Sequence, residues 1–107
     1  MSEIALVQVT CPGVESATGI GEALLVERLI ACANVMPAGP SVYRWQGRVE
    51  HAEEALLQMK TLPESAEKLA ARIAELHPYD LPAIERWTVQ TDAATRAWVA
   101  EGIEQVS

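Results

Sequence analysis

Apolar and polar positions alternate with two periods along the chain. Ile4 to Thr10 is a short apolar, β-rich run closed by Pro12-Gly13, which predicts a buried strand. From about Glu15 to Ile30 the step changes. Ala17, Ile20, Leu24, Leu25 and Leu29 recur every three or four residues, with Glu22, Glu27 and Arg28 on a wetter face. That predicts a helix begun near Ser16 or Thr18 and weakened by Gly19 and Gly21. Cys32 to Met36 reads as a second strand, broken by Pro37, Gly39 and Pro40 and resumed at Ser41 to Trp45. In the resumed part Val42 and Arg44 face one way, Tyr43 and Trp45 the other. After a Gln46-Gly47 turn, Arg48 to Thr61 is extended, polar first and apolar later. The two segments form a long hairpin whose polar tip lies outside its own core, so another copy of the chain is expected to hold it.

Thr61 followed by Glu64 is a capping-box pattern with Pro63 in the first turn. Ala66, Leu69, Ala70, Ile73 and Leu76 then line one helix face, opposite Glu67, Lys68, Arg72 and Glu75. Pro78 disfavours helical geometry at His77, so the helix stops there. After a loop bounded by Pro78 and Pro82, Ala83 to Val89 alternates Ile84, Arg86 and Thr88 with Glu85, Trp87 and Val89 as a half-covered strand. Thr91 or Asp92 caps a last helix from Ala93 to about Val106, with Ala94, Trp98, Val99 and Ile103 as its apolar stripe.

The order β-α-β-β-α-β-α closes most simply as an α+β ferredoxin-like sandwich, βαββαβ plus a C-terminal helix. Its antiparallel sheet of four strands carries both crossover helices on one face and leaves the other to the last helix and to neighbouring subunits. The 107 residues suit one domain over residues 1–107, and no repeat or linker divides them.

Half of the residues are apolar and 21% are charged, which excludes disordered, collagen-like and coiled-coil classes. Phe is absent, so Leu, Ile, Val and Ala must build the core. A formal net charge of −7 argues against nucleic acid or an anionic membrane as partner, since both need a basic patch. No apolar run approaches the ~18–20 residues needed to cross a bilayer, and Met1-Ser2-Glu3 lacks a basic leader region. A cytoplasmic location is expected, with Cys11 and Cys32 as free thiols.

No Walker, GxGxxG, CxxC, HExxH or GxSxG pattern is present. His77, in a Pro-bounded loop, either aims its imidazole at a metal or caps the last helical carbonyls through its ring N–H. His51, among Glu50, Glu53 and Glu54, lies on a solvated hairpin face. Cys11 ends the first strand just before a helix, where a thiolate is favoured and could serve a soft metal. Cys32 reads as a small buried hydrophobe. Tyr43, Arg44, Trp45 and Gly47 form an aromatic-cationic cluster suited to an interface or to packing on a sheet face.

Three linked patterns, VERLIACAN, SVYRWQG and HPYDLP after a helix, stand at separations that resemble the CutA family, proteins named for divalent-cation tolerance. The resemblance covers essentially the whole chain. It implies a ferredoxin-like fold and a tight homotrimer, with Tyr43, Arg44, Trp45 and Gly47 on a hairpin packed against the next subunit. Arg28, Cys32 and Asn34, together with Tyr79 of the HPYDLP loop, then border inter-subunit clefts. Some copper-binding members carry a cysteine within the first strand; Val9 stands there in this chain, with Cys11 two residues later.

The function this implies is a non-enzymatic, trimeric divalent-cation tolerance protein binding copper or another divalent metal ion. His77 would be the ligand, helped by Cys11 and a carboxylate such as Asp80 or Glu85. The alternative is a trimeric signalling module that binds a small ligand in its inter-subunit clefts, favoured if Arg28, Arg44, Arg48 or Arg86 gather in one cleft. An enzyme is the third class; no nucleophile–base pair is recognisable.

Overall fold

The computed structural model describes residues 2–103. Its elements are β1 (Ser2–Cys11), α1 (Val14–Val26), β2 (Cys32–Trp45), β3 (Arg48–Thr61), a 3-10 turn (Pro63–Ser65), α2 (Ala66–Leu76), β4 (Ile84–Thr91) and α3 (Ala93–Ile103). The strands lie in the order β2-β3-β1-β4, and every neighbouring pair is antiparallel. β1 and β2 are therefore parallel across β3, joined by α1, while β3 and β4 are parallel across β1, joined by α2. This is the expected α+β ferredoxin-like sandwich.

Period-two patterning decides which face is covered. Ala5, Val7, Val9 and Cys11 of β1 and Ala55, Leu57 and Met59 of β3 are buried, together with Ala17, Ile20 and Leu24 of α1 and Leu69 and Ile73 of α2. Their alternates Leu6, Gln8, Thr10, Leu56, Gln58 and Lys60 lie on the opposite, half-buried face. α3 packs against β1 and β3 and buries Val99, and Ile4, on the second face of β1, is buried as well. Gly21 has a packing reason: a Cβ there would stand 3.1 Å from Ala33 Cβ and 3.4 Å from Leu57 Cδ1, so its absence lets α1 sit close to the sheet.

Four local expectations are corrected. β2 runs unbroken through Pro37, Gly39 and Pro40, with a register shift between Pro37 and Gly39. A proline is tolerated because β2 is an edge strand, where a missing N–H need not break a ladder. α1 begins at Val14, ahead of Ser16 and Thr18, and ends at Val26, short of the expected Ile30. The capping box is not used. Thr61 is buried at the end of β3, and its Oγ1 donates to the Leu29 carbonyl at 3.0 Å, while Pro63–Ser65 leads into α2 with no side-chain cap. β4 starts one residue later than expected and runs two further, to Thr91. Asp92 does cap α3, its Oδ1 accepting the Thr95 N–H at 2.6 Å. The expected end of that helix at Val106 lies outside the described residues.

The β2–β3 hairpin turns at Gln46 (φ 51°) and Gly47 (φ 78°), the two positive-φ positions of a tight hairpin turn. Beyond the register shift it forms an arm with Val42, Tyr43, Trp45 and Val49 exposed.

Candidate functional site at the end of the central strands

His77 follows α2 directly. Its backbone is extended (φ −76°, ψ 139°), as the residue before Pro78 must be, and its N–H closes the helix on the Ile73 carbonyl. The ring then leaves the helix. Nε2–H donates to the Thr10 carbonyl of β1 at 2.8 Å, and Nδ1 accepts the Tyr79 N–H at 3.1 Å. The imidazole is buried and neutral in this arrangement, one nitrogen a donor and the other an acceptor. It caps nothing in α2, and ties the helix end and the loop to the central strand.

Tyr79 extends the chain of contacts. Its ring lies 4.7 Å from the His77 ring, and its hydroxyl donates to Glu54 Oε2 at 2.9 Å. Glu54 sits on β3 beside Ala55, which pairs with Cys11, and faces Gly39 at the register shift of β2. Its charge is felt on both sides. Burial, and secondly the Glu54 carboxylate, push the Cys11 thiol from 9.0 up to about 11. Burial, then the hydrogen bond and charge of Glu54, push the Tyr79 phenol from 10.0 up to about 12, with smaller contributions from Tyr43 and Cys11. Glu54 forms no ion pair among the described residues; ion pairs elsewhere join Arg72 to Glu27 and Glu75, and Arg96 to Glu64.

A metal needs a free lone pair, and His77 has none to offer while Tyr79 N–H occupies Nδ1. Cys11 is a buried, protonated thiol at neutral pH, and Asp80 is exposed in the loop. Among the described residues no three His, Cys, Asp or Glu side chains stand close enough to hold an ion, so the single chain does not present His77, Cys11 and Asp80 as one ligand set. What converges is Glu54 with Cys11 and Tyr79. By sequence alone Glu54 belongs with Glu50 and Glu53 among the solvated hairpin glutamates. The available signal was its position directly before the apolar Ala55-Leu56-Leu57 run, where the alternation turns inward.

The other sequence-derived residues are spread out. Arg28 sits in a left-handed turn (φ 59°) after α1. Cys32, half-buried rather than buried as expected, and exposed Asn34 lie on the open face at the start of β2, remote in the sheet from Tyr79. Tyr43, Arg44, Trp45 and Gly47 lie on the exposed arm. Arg44 and Arg48 are near the hairpin turn and Arg86 is on β4, so one chain gathers no arginine cleft.

The family described as CutA1 divalent ion tolerance protein matches residues 5–102. The chain belongs to this family. A curated relative, the divalent-cation tolerance protein CutA of Thermus thermophilus, is 45% identical over 84 residues, which is 78% of this chain and 80% of the relative. The crystal structure of the CutA1 divalent ion tolerance protein from Ehrlichia chaffeensis superposes with a TM-score of 0.91 at 31% identity, covering 98% of this chain and 99% of that one. CutA from Archaeoglobus fulgidus, described as a periplasmic divalent cation tolerance protein, gives 0.88 at 27% identity over 94% of this chain and 99% of its own. Among the described residues of this CutA1-family chain, no helix is long and apolar enough to cross a membrane.

Proposed function

We propose that this chain serves divalent-cation tolerance as a non-enzymatic, cytoplasmic homotrimer that takes up divalent metal ions, copper among them. The ion is drawn to the end of the sheet where Glu54, Cys11 and Tyr79 meet. The observation that carries this reading is the Glu54 carboxylate, half-buried with no basic partner among the described residues and, after burial itself, raising the proton affinity of a thiol and a phenol beside it. A cation there reverses the local field, favours the thiolate and displaces protons. The Glu54 carboxylate and the Cys11 thiolate, even with the Tyr79 oxygen, do not complete a coordination sphere, so the remainder comes from water or a neighbouring copy. The non-enzymatic part is supported by Cys11 being held protonated and by both His77 nitrogens being engaged, which leaves neither as nucleophile or base. Two free thiols suit a reducing compartment.

Native mass spectrometry under reducing conditions, with copper and then zinc titrated in, tests this. The expected species is three chains with stoichiometric metal, the metal lost in Glu54→Gln and the trimer retained. Metal uptake unchanged in Glu54→Gln overturns the site, a trimer that takes no metal overturns the uptake, and a monomer overturns the assembly.

A further inference from the structure

The loop between α2 and β4 is held at one residue. Residues 78–83 make no backbone–backbone hydrogen bond among the described residues. Pro78 and Pro82 have no N–H to give. Among the described residues, the hydrogen bonds of this stretch both start at Tyr79. Its N–H donates to His77 Nδ1 at 3.1 Å, and its hydroxyl donates to Glu54 Oε2 at 2.9 Å. The first bond ties the loop back to the residue that ends α2. The second fastens it to β3, 25 residues earlier in the chain. Beside Tyr79, Asp80 and Leu81 are exposed, Leu81 by 78%.

The two bonds differ in what can break them. The His77 ring is buried and also donates to the Thr10 carbonyl at 2.8 Å, so its hold on the Tyr79 N–H does not depend on Glu54. The hydroxyl bond does. It draws its strength from the negative charge of the carboxylate. The positive end of the O–H dipole points at Glu54, and a cation on that carboxylate repels it and draws on the same charge. Hydroxyl and cation therefore compete for one group.

We propose that Tyr79 is a latch on Glu54: uptake of a divalent ion there releases the hydroxyl and frees residues 79–83 from β3, while His77 keeps the end of α2 in place. This rests on the proposed uptake at Glu54 and gives that site its regulation. The hydroxyl competes with the ion and is not a ligand to it, so it lowers the affinity that Glu54 and Cys11 would otherwise reach. Occupancy of the site is passed to an exposed loop and changes the surface the molecule presents there.

Zinc is the probe, because it has no redox chemistry. Tyr43 and Tyr79 are the chain's two tyrosines, so protein labelled with carbon-13 at tyrosine Cζ gives two resonances. That of Tyr79 is the one missing from Tyr79→Phe. Calorimetric titration under reducing conditions should show Tyr79→Phe binding zinc about 10-fold more tightly than wild type, as expected when a hydrogen bond to a charged group no longer has to be broken. A merely structural role has the opposite sign, since a less ordered carboxylate binds less well. In wild type, zinc should move the Tyr79 Cζ resonance to the position of a free, neutral phenol. Equal or weaker zinc binding by Tyr79→Phe overturns the latch and leaves the site standing. So does a Cζ resonance that moves to the phenolate position, or one that zinc leaves unchanged while Glu54→Gln loses the ion. Zinc binding that is equal in wild type and Glu54→Gln, or absent from both, overturns the site and the latch with it.

Discussion

Glu54 separates two groups that become anions on losing a proton, and that placement has a consequence at high pH. In the folded chain the Cys11 thiol is raised from 9.0 to about 11 and the Tyr79 phenol from 10.0 to about 12. Unfolding returns both to their ordinary values, so the unfolded chain releases these protons first as pH rises. The stability these neutral groups contribute is complete below about pH 9 and is lost as pH climbs through about 11 to 12. The melting temperature should therefore fall between about pH 8 and about pH 10.5, less steeply in Cys11→Ala. Glu54→Gln should reduce the slope without removing it, because burial comes first among the causes at both groups. Equal slopes in wild type and Cys11→Ala would reject this account. The two glycines of α1 make a second pair at this scale. At Gly19 nothing lies within 4 Å of a new Cβ, so Gly19→Ala should stabilise by about 0.5–1 kcal/mol through helix propensity. At Gly21 the same gain meets an Ala33 Cβ only 3.1 Å away, and overpacking of about 1–3 kcal/mol outweighs it. Urea unfolding should rank Gly19→Ala above wild type and Gly21→Ala below.

α2 is joined to the sheet by a residue that lies just outside it. The ring of His77 holds the end of the helix and the following loop to β1 by two hydrogen bonds. His77→Ala strands the half-buried Thr10 carbonyl and the Tyr79 N–H and opens a gap, at about 1–3 kcal/mol for each orphaned group. A loss of about 2–4 kcal/mol in urea unfolding with chelator present is expected, and a loss below about 1 kcal/mol would show that the ring does not secure the loop. The type and order of elements were legible in the sequence because each strand and helix keeps its own period and its own breakers. Pro78 stops α2, Asp92 starts α3, and Gln46-Gly47 turns the hairpin. What was illegible depended on partners far along the chain. Thr61 has the spacing of a cap, yet its hydroxyl is claimed by Leu29, 32 residues away. Pro37 and Pro40 look like breaks until β2 is known to be an edge. Glu54 resembles its neighbours until the HPYDLP loop brings Tyr79 to it. His77 was visible as special, but its partner Thr10 lies 67 residues earlier.

The chain as a whole is longer than its own core requires. Its radius of gyration is 14.6 Å, against about 13 Å expected for a compact domain of this length, and its extents are 46 × 28 × 21 Å. The excess is the hairpin arm, where Val42 is 62%, Trp45 48% and Val49 58% exposed. An isolated two-stranded ribbon is marginal in water, and exposed apolar side chains on it invite association. Trp45, near the turn, is placed to anchor that association, since buried aromatics dominate interface energies. Within its own chain it pairs with Arg48 across the hairpin, away from the buried cluster on the central strands. Trp45→Ala should therefore weaken assembly by at least ~2 kcal/mol, about 30-fold in dissociation on dilution. The monomer's own stability should change by less than ~1 kcal/mol, because half of the side chain is already in water and no core cavity forms. Sedimentation across a dilution series measures the first quantity, and urea unfolding below the dissociation concentration measures the second. A Trp45→Ala trimer with an unchanged melting temperature and unchanged dissociation would mean that the arm is held by the backbone of β2 and β3 alone.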